Sequence, residues 1–108
     1  MAGEIPDGLA IESVWAIEAT YGPDAVERRP VVRHEHLTRI GQLRAAGTIV
    51  EAGGYADMSG SLFLVRAPDE AAALSILEAD VYTRSGVWTG FRARAIGRVA
   101  RRDEIEVG

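Results

Sequence analysis

Hydrophobic and polar positions fall into short runs along this chain, and the punctuation between them marks out four strands and two helices. Glu12 to Tyr21 (ESVWAIEATY) reads as a strand, with Val14, Trp15, Ile17 and Tyr21 placing large groups on both faces. Gly22-Pro23 ends it. Arg29-Pro30 then opens a helical stretch running to about Ala46. A proline suits the first helical position, where its missing N–H has no partner to lose. Gly47 suits the stop.

Thr48 to Tyr55 (TIVEAGGY) predicts a second strand, Asp57 to Gly60 a turn, and Ser61 to Ala67 (SLFLVRA) a third strand. Pro68-Asp69-Glu70 starts a second helix, carried by Ala71, Ala72, Leu74, Ile76 and Leu77. Asp80 to Gly86 is a connector with room for one more helical turn, and Val87 to Val99 is the fourth strand. The order β-α-β-β-α-β is the ferredoxin-like α+β arrangement, an antiparallel sheet with two helices on one face. The expected divisions are a loose leader at 1–11, the folded domain at 12–100 and a tail at 101–108. The third strand sets Phe63 against Leu62 and Leu64, so the face without helices is apolar too. That predicts a homodimer through the open sheet face.

Composition narrows the function classes. The chain has 108 residues, enough for one domain, and no stretch approaches the roughly 20 apolar residues of a membrane helix. With no cysteine there is no disulfide framework, thiol nucleophile or thiolate metal site. Every basic residue is arginine, so lysine Schiff-base chemistry and the P-loop are both excluded. No export signal is evident in the first ten residues, so the cytoplasm is the expected compartment. The formal net charge is −4, a poor balance for nucleic-acid binding. Phe91 to Arg102 nevertheless holds five arginines and no acid, which reads first as a solvated strand edge or a tail facing an acidic partner.

The chemistry-bearing candidates cluster on the first helix. At 100° per residue, Val32, His36, Ile40 and Leu43 share one arc, while His34 falls opposite with Thr38 and Gly41. His36 therefore points toward the sheet and His34 toward water. Residues two apart on a helix do not face each other, so His34-Glu35-His36 is no metal motif, and neither a metal nor a cofactor is expected. An inward histidine is either a core residue bonded to a carbonyl or a general acid/base set by a carboxylate. Asp57 and Asp80 are the candidate carboxylates, each with a structural alternative as a turn or cap residue. Arg29 and Arg33, one turn apart, could hold a substrate oxygen, or ion-pair with Glu27 or Glu35 on a solvated face. Tyr21, Tyr55, Tyr82, Trp15 and Trp88 are pocket-lining candidates or core.

These residues carry a resemblance. Glu27 to Ile40 (ERRPVVRHEHLTRI) is similar to the helix signature of the YCII-related (YciI-like) family: an arginine, a second four later, then His-Leu three after that, here Arg29, Arg33, His36 and Leu37. Ala52-Gly53, Gly60-Ser61, Ala79-Asp80-Val81-Tyr82 and Ser85-Gly86-Val87 resemble later segments of that pattern, so the likeness spans Val14 to Val99 in order. Val81, Gly54 and Ala95 stand where the family has prolines, and Ile96 where it has Phe. The resemblance implies a dimeric α+β barrel, similar to muconolactone isomerase, with a His–Asp pocket dyad at His36 and Asp80. Dehydrochlorination of a chlorinated hydroxyhydroquinone is among the reactions of relatives. The expected function is a cofactor-free lyase or isomerase acting on a small cyclic or aromatic compound. His36 and Asp80 would be its catalytic pair, and Arg29, Arg33, Tyr82 and Ser61 its substrate contacts. The competing expectation is a binding or accessory module that holds a metabolite without turning it over.

Overall fold

A computed structural model describes residues 4–105 and contains the elements β1 (Leu9–Tyr21), α1 (Ala25–Ala45), β2 (Ile49–Gly54), β3 (Gly60–Val65), α2 (Glu70–Glu78), α3 (Val81–Arg84), β4 (Trp88–Arg101) and α4 (Arg102–Ile105). The strands form one sheet in the order β2-β3-β1-β4, and each neighbouring pair is antiparallel. This is the ferredoxin-like order: each helical crossover skips over one central strand.

Alternation along the strands divides the side chains between two faces. Trp15, Ile17 and Ala19 of β1 and Phe63 and Val65 of β3 point to the helices, where they meet Ile40, Leu77, Tyr82, Val87 and Trp88 in the core. The register places Ala16 opposite Leu64 and Glu18 opposite Leu62 on the other face. Leu62 is 39 % exposed there. The expectation of apolar groups on both faces is therefore met.

The helix ends show how the local sequence works. Gly47 adopts a left-handed φ of 81°, its N–H bonds the Arg44 carbonyl, and the Thr48 N–H bonds the Leu43 carbonyl. That pair of bonds is a Schellman stop, and glycine takes the left-handed conformation without Cβ strain. At α2, the Asp69 carboxylate accepts from the Ala72 N–H at 2.8 Å.

Four expectations need correction. α1 begins at Ala25, so Pro30 lies within the helix rather than at its first position. Gly22-Pro23-Asp24 already supplies the entry, and the Asp24 carbonyl accepts from the Arg28 N–H at 3.0 Å. Pro30 leaves the Val26 carbonyl without its helical donor; Val26 is 72 % exposed, so water can supply one. β1 begins at Leu9, before the expected Glu12, because Leu9, Ala10 and Ile11 pair with Arg101, Ala100 and Val99. β4 runs on to Arg101, and a short helix follows where a tail or extra strand was expected. The remainder of the expected leader and tail, 1–3 and 106–108, lies outside the described residues.

The arginine-rich stretch is only in part a solvated edge. Arg98 donates to Glu12 at 2.8 Å and to Glu104 at 2.7 Å, and Arg66, just past the end of β3, donates to Glu12 at 2.5 Å. Together they form a partly buried charge cluster on the sheet. The Arg66 hydrogen bond lowers the Glu12 pKa; burial opposes it, and Arg98 adds to the lowering.

Candidate functional site

α1 crosses the sheet with His36 and Ile40 buried and Arg29, Arg33 and Leu37 beside them at helical spacing, the last two exposed; together they line a cavity of about 190 Å³. The opposite wall exists because the strand positions beneath it are small. Ala52 and Gly54 of β2 pair with Phe63 and Ser61 of β3, and these four with Gly53, Tyr21 and Tyr82 complete the lining.

The cavity is backed by a buried pair. His36 Nδ1 and Asp80 Oδ2 are 2.7 Å apart, and the side chains are 8 % and 0 % exposed. Asp80 is also the N-cap of α3, so the cap alternative and the dyad are the same residue in two roles. Its Oδ2 accepts from the Tyr82 N–H at 2.9 Å as well as from His36. Its Oδ1 accepts from Arg39 Nη1 at 3.0 Å. Arg39 is itself held by the Ile76 carbonyl at 2.6 Å.

Burial alone would raise the Asp80 pKa, but the hydrogen bonds from His36, the Tyr82 N–H and Arg39 outweigh it and hold the carboxyl below its usual range. Asp80 is therefore ionised at neutral pH. A carboxylate only accepts hydrogen bonds, so Nδ1 of His36 carries a proton and Nε2 is left to exchange one. The ring is fixed from a second direction as well. It stacks on Tyr82 at 3.7 Å between centroids with an 8° interplanar angle, and Trp88 meets it edge-on at 5.2 Å. Burial raises the Tyr82 pKa, although a hydrogen bond from Arg29 and the charges of Arg29 and Arg33 pull the other way, so its phenol stays protonated at neutral pH.

His36, Asp80, Arg29, Arg33, Tyr82 and Ser61 are thus brought to one place; Ser61 Oγ lies 3.4 Å from the Tyr21 hydroxyl in the cavity wall. Other candidates lie elsewhere. His34 is exposed. Asp57 accepts from Ser59 in the β2–β3 turn, its ordinary structural role. Tyr55 turns to the opposite face of the sheet and donates to Glu18 at 2.8 Å. Trp88 belongs to the packed interior, and Trp15, partly buried, packs against it. Among the described residues no three histidine or carboxylate side chains are grouped to hold a metal ion.

Sequence reasoning missed Arg39. The signal was present: it lies three residues after His36, close enough on a helix for both to reach one acceptor. The ion pairs offered for Arg29 and Arg33 are not formed among the described residues: Glu35 pairs instead with Arg84 at 3.1 Å, and Glu27 pairs with neither; Arg33 is nonetheless exposed. Asp24 pairs with Arg28 at 3.4 Å.

A ferredoxin-like α+β domain with a buried, hydrogen-bonded His–Asp pair behind a small cavity is the class these features define. The family model for the YCII-related domain matches residues 14–96, and the chain belongs to that family. Among solved structures it is similar to the 5-chloro-2-hydroxyhydroquinone dehydrochlorinase TftG from Burkholderia phenoliruptrix AC1100, in complex with 2,5-dihydroxybenzoquinone. The identity is 22 %, the TM-score 0.63, and the match covers 75 % of this chain and 90 % of that one, a likeness of fold. A search of curated proteins returns no match.

Proposed function

We propose that this protein is a small cofactor-independent enzyme of the lyase, isomerase or dehydrochlorinase type. It uses His36 and Asp80 for acid–base chemistry on a small cyclic or aromatic compound. The observation that carries the reading is the 2.7 Å contact between His36 Nδ1 and a fully buried Asp80, at the wall of the cavity. Nε2 takes a proton from the substrate. In an elimination the released electron pair expels a leaving group such as chloride; in an isomerisation the proton returns at another atom. Asp80 fixes the tautomer and balances the imidazolium formed in the step. Arg29, Arg33, Tyr82 and Ser61 contact the substrate. A cavity of about 190 Å³ suits a single ring better than a drug-sized ligand.

The test compares wild type with His36→Gln on the chlorinated hydroxyhydroquinone that the structural relative is named for, together with other hydroxylated and halogenated single-ring compounds. The readouts are substrate loss and chloride release. Losing a positioned base should lower turnover by about 10²–10⁴-fold, with the circular dichroism spectrum unchanged. Equal turnover in both proteins removes the role. Saturable binding with no chemical change in wild type favours the binding-module alternative.

We further propose that the protein works in the cytoplasm as a homodimer through the open sheet face. Leu62 at 39 % exposed and Ile96 at 37 % support this, as apolar groups that no helix covers. Leu62→Glu should give a monomer in sedimentation measurements; a monomeric wild type rejects the dimer.

A further inference from the structure

The charge inventory of the cavity does not balance, and the imbalance specifies the ligand. The charge of Asp80 is committed behind His36, where Arg39 answers it at 3.0 Å. None of the twelve lining residues is aspartate or glutamate, while two are arginines. Neither Arg29 nor Arg33 has a carboxylate within ion-pair distance among the described residues. The neighbouring acids are engaged: Asp24 by Arg28, and Glu35 by Arg84.

Arg29 is the sharper case. Its Nε is buried and has no hydrogen-bond partner. Its Nη1 donates to the Met58 thioether at 3.8 Å, a weak acceptor, and the guanidinium also faces the Tyr82 hydroxyl. The guanidinium lies over the Tyr21 ring, 5.8 Å from its centroid. A buried cationic donor left short of acceptors is costly unless a ligand supplies them. Arg33, one turn on, lines the same cavity. Leu37, Ile40, Ala52 and Phe63 make the rest of the wall apolar.

We propose that the cavity selects a single-ring organic anion, bearing a carboxylate, phenolate or enolate oxygen that Arg29 and Arg33 bind together. This rests on the reading of the cavity as a substrate site and names the class of substrate; it needs no assumption about turnover. The apolar wall takes the ring, and the guanidinium pair takes the charge, with the Tyr82 hydroxyl available as a donor beside them. The same pair would hold an anion formed when His36 removes a proton from a neutral ring compound.

The test uses three isosteres that differ in charge: benzoate, benzamide and benzamidine. Each is titrated into the full-length protein by calorimetry, with inorganic phosphate as an anion lacking a ring. The expected result is benzoate binding at least about tenfold more tightly than benzamide, the scale of one charge-assisted hydrogen bond. Benzamidine should not bind. The preference should survive His36→Gln and disappear in Arg33→Gln and in the Arg29→Gln/Arg33→Gln double variant, each shown to be folded by its urea midpoint.

Equal affinity for benzoate and benzamide overturns the proposal. So does no benzoate binding in the millimolar range, or a preference that persists in the double variant. Phosphate binding as tightly as benzoate overturns the requirement for a ring. The two readings fail separately. Anion preference without any acid–base chemistry rejects the enzyme and leaves this inference standing; turnover without charge preference does the reverse.

Discussion

Replacing Asp80 with asparagine tests a carboxylate whose two oxygens are both bonded inside the fold. It is fully buried and accepts from three donors, His36 Nδ1, the Tyr82 N–H and Arg39 Nη1. Hydrogen bonds to a charged group contribute about 1.5–3 kcal/mol each while both partners remain. Asparagine keeps one oxygen but turns an amide N–H₂ toward one of the donors and leaves Arg39 without its counter-charge. We expect a loss of about 2–4 kcal/mol at neutral pH, close to the cost of breaking a buried ion pair. A domain with the usual stability of about 5–15 kcal/mol stays folded after that loss.

The pH dependence makes this test specific. The folded pKa of Asp80 lies below its ordinary value, so its contribution is fully present above the unfolded pKa of about 3.9 and is lost as pH falls through the folded value. Urea unfolding of the two proteins should therefore show the full gap at neutral pH and a narrowing gap below about pH 4. A gap under about 0.5 kcal/mol at neutral pH, or one that stays constant on acidification, refutes the reasoning.

Glu12→Gln should behave in the same sense on the opposite side of the sheet. The Arg66 hydrogen bond lowers the Glu12 pKa, so the variant should be about 1–3 kcal/mol less stable at neutral pH and converge on wild type below about pH 4, as read by urea midpoints. Arg39→Met leaves Asp80 two of its donors; about 1.5–3 kcal/mol should be lost, and acid unfolding should begin at higher pH than in wild type. Tyr82 should form tyrosinate above the ordinary phenol range, so Tyr82→Phe should remove one high-titrating component from the ultraviolet absorbance on alkaline titration.

The inward direction of His36 was legible because helical periodicity is local: Val32, His36, Ile40 and Leu43 share an arc whatever lies opposite. Gly47 was legible as a stop for the same reason. Pro30 misled, because a proline at the first position and one a turn further in look alike until the preceding Gly22-Pro23-Asp24 is seen to start the helix. The early start of β1 at Leu9 depends on pairing with Val99 to Arg101, nearly the whole chain away. No local pattern carries that. Spacing alone left both Asp57 and Asp80 as candidate partners for His36; the family resemblance implied Asp80, and the tertiary fold sets it 2.7 Å from His36. Arg29 and Arg33 illustrate the same limit in charge. Their sequence neighbours suggested ion pairs, yet the fold turns Glu35 to Arg84 and leaves both guanidiniums on the cavity.

The most direct measurement of the central claim is solvent deuterium incorporation, followed by proton NMR, into enolisable single-ring compounds such as the cyclohexanediones and hydroxyhydroquinone. The reading of His36 as a proton-transfer group set by Asp80 predicts catalysed exchange at a ring carbon by wild type, and exchange at the uncatalysed rate with folded His36→Gln. Exchange at the same rate with both proteins would contradict it.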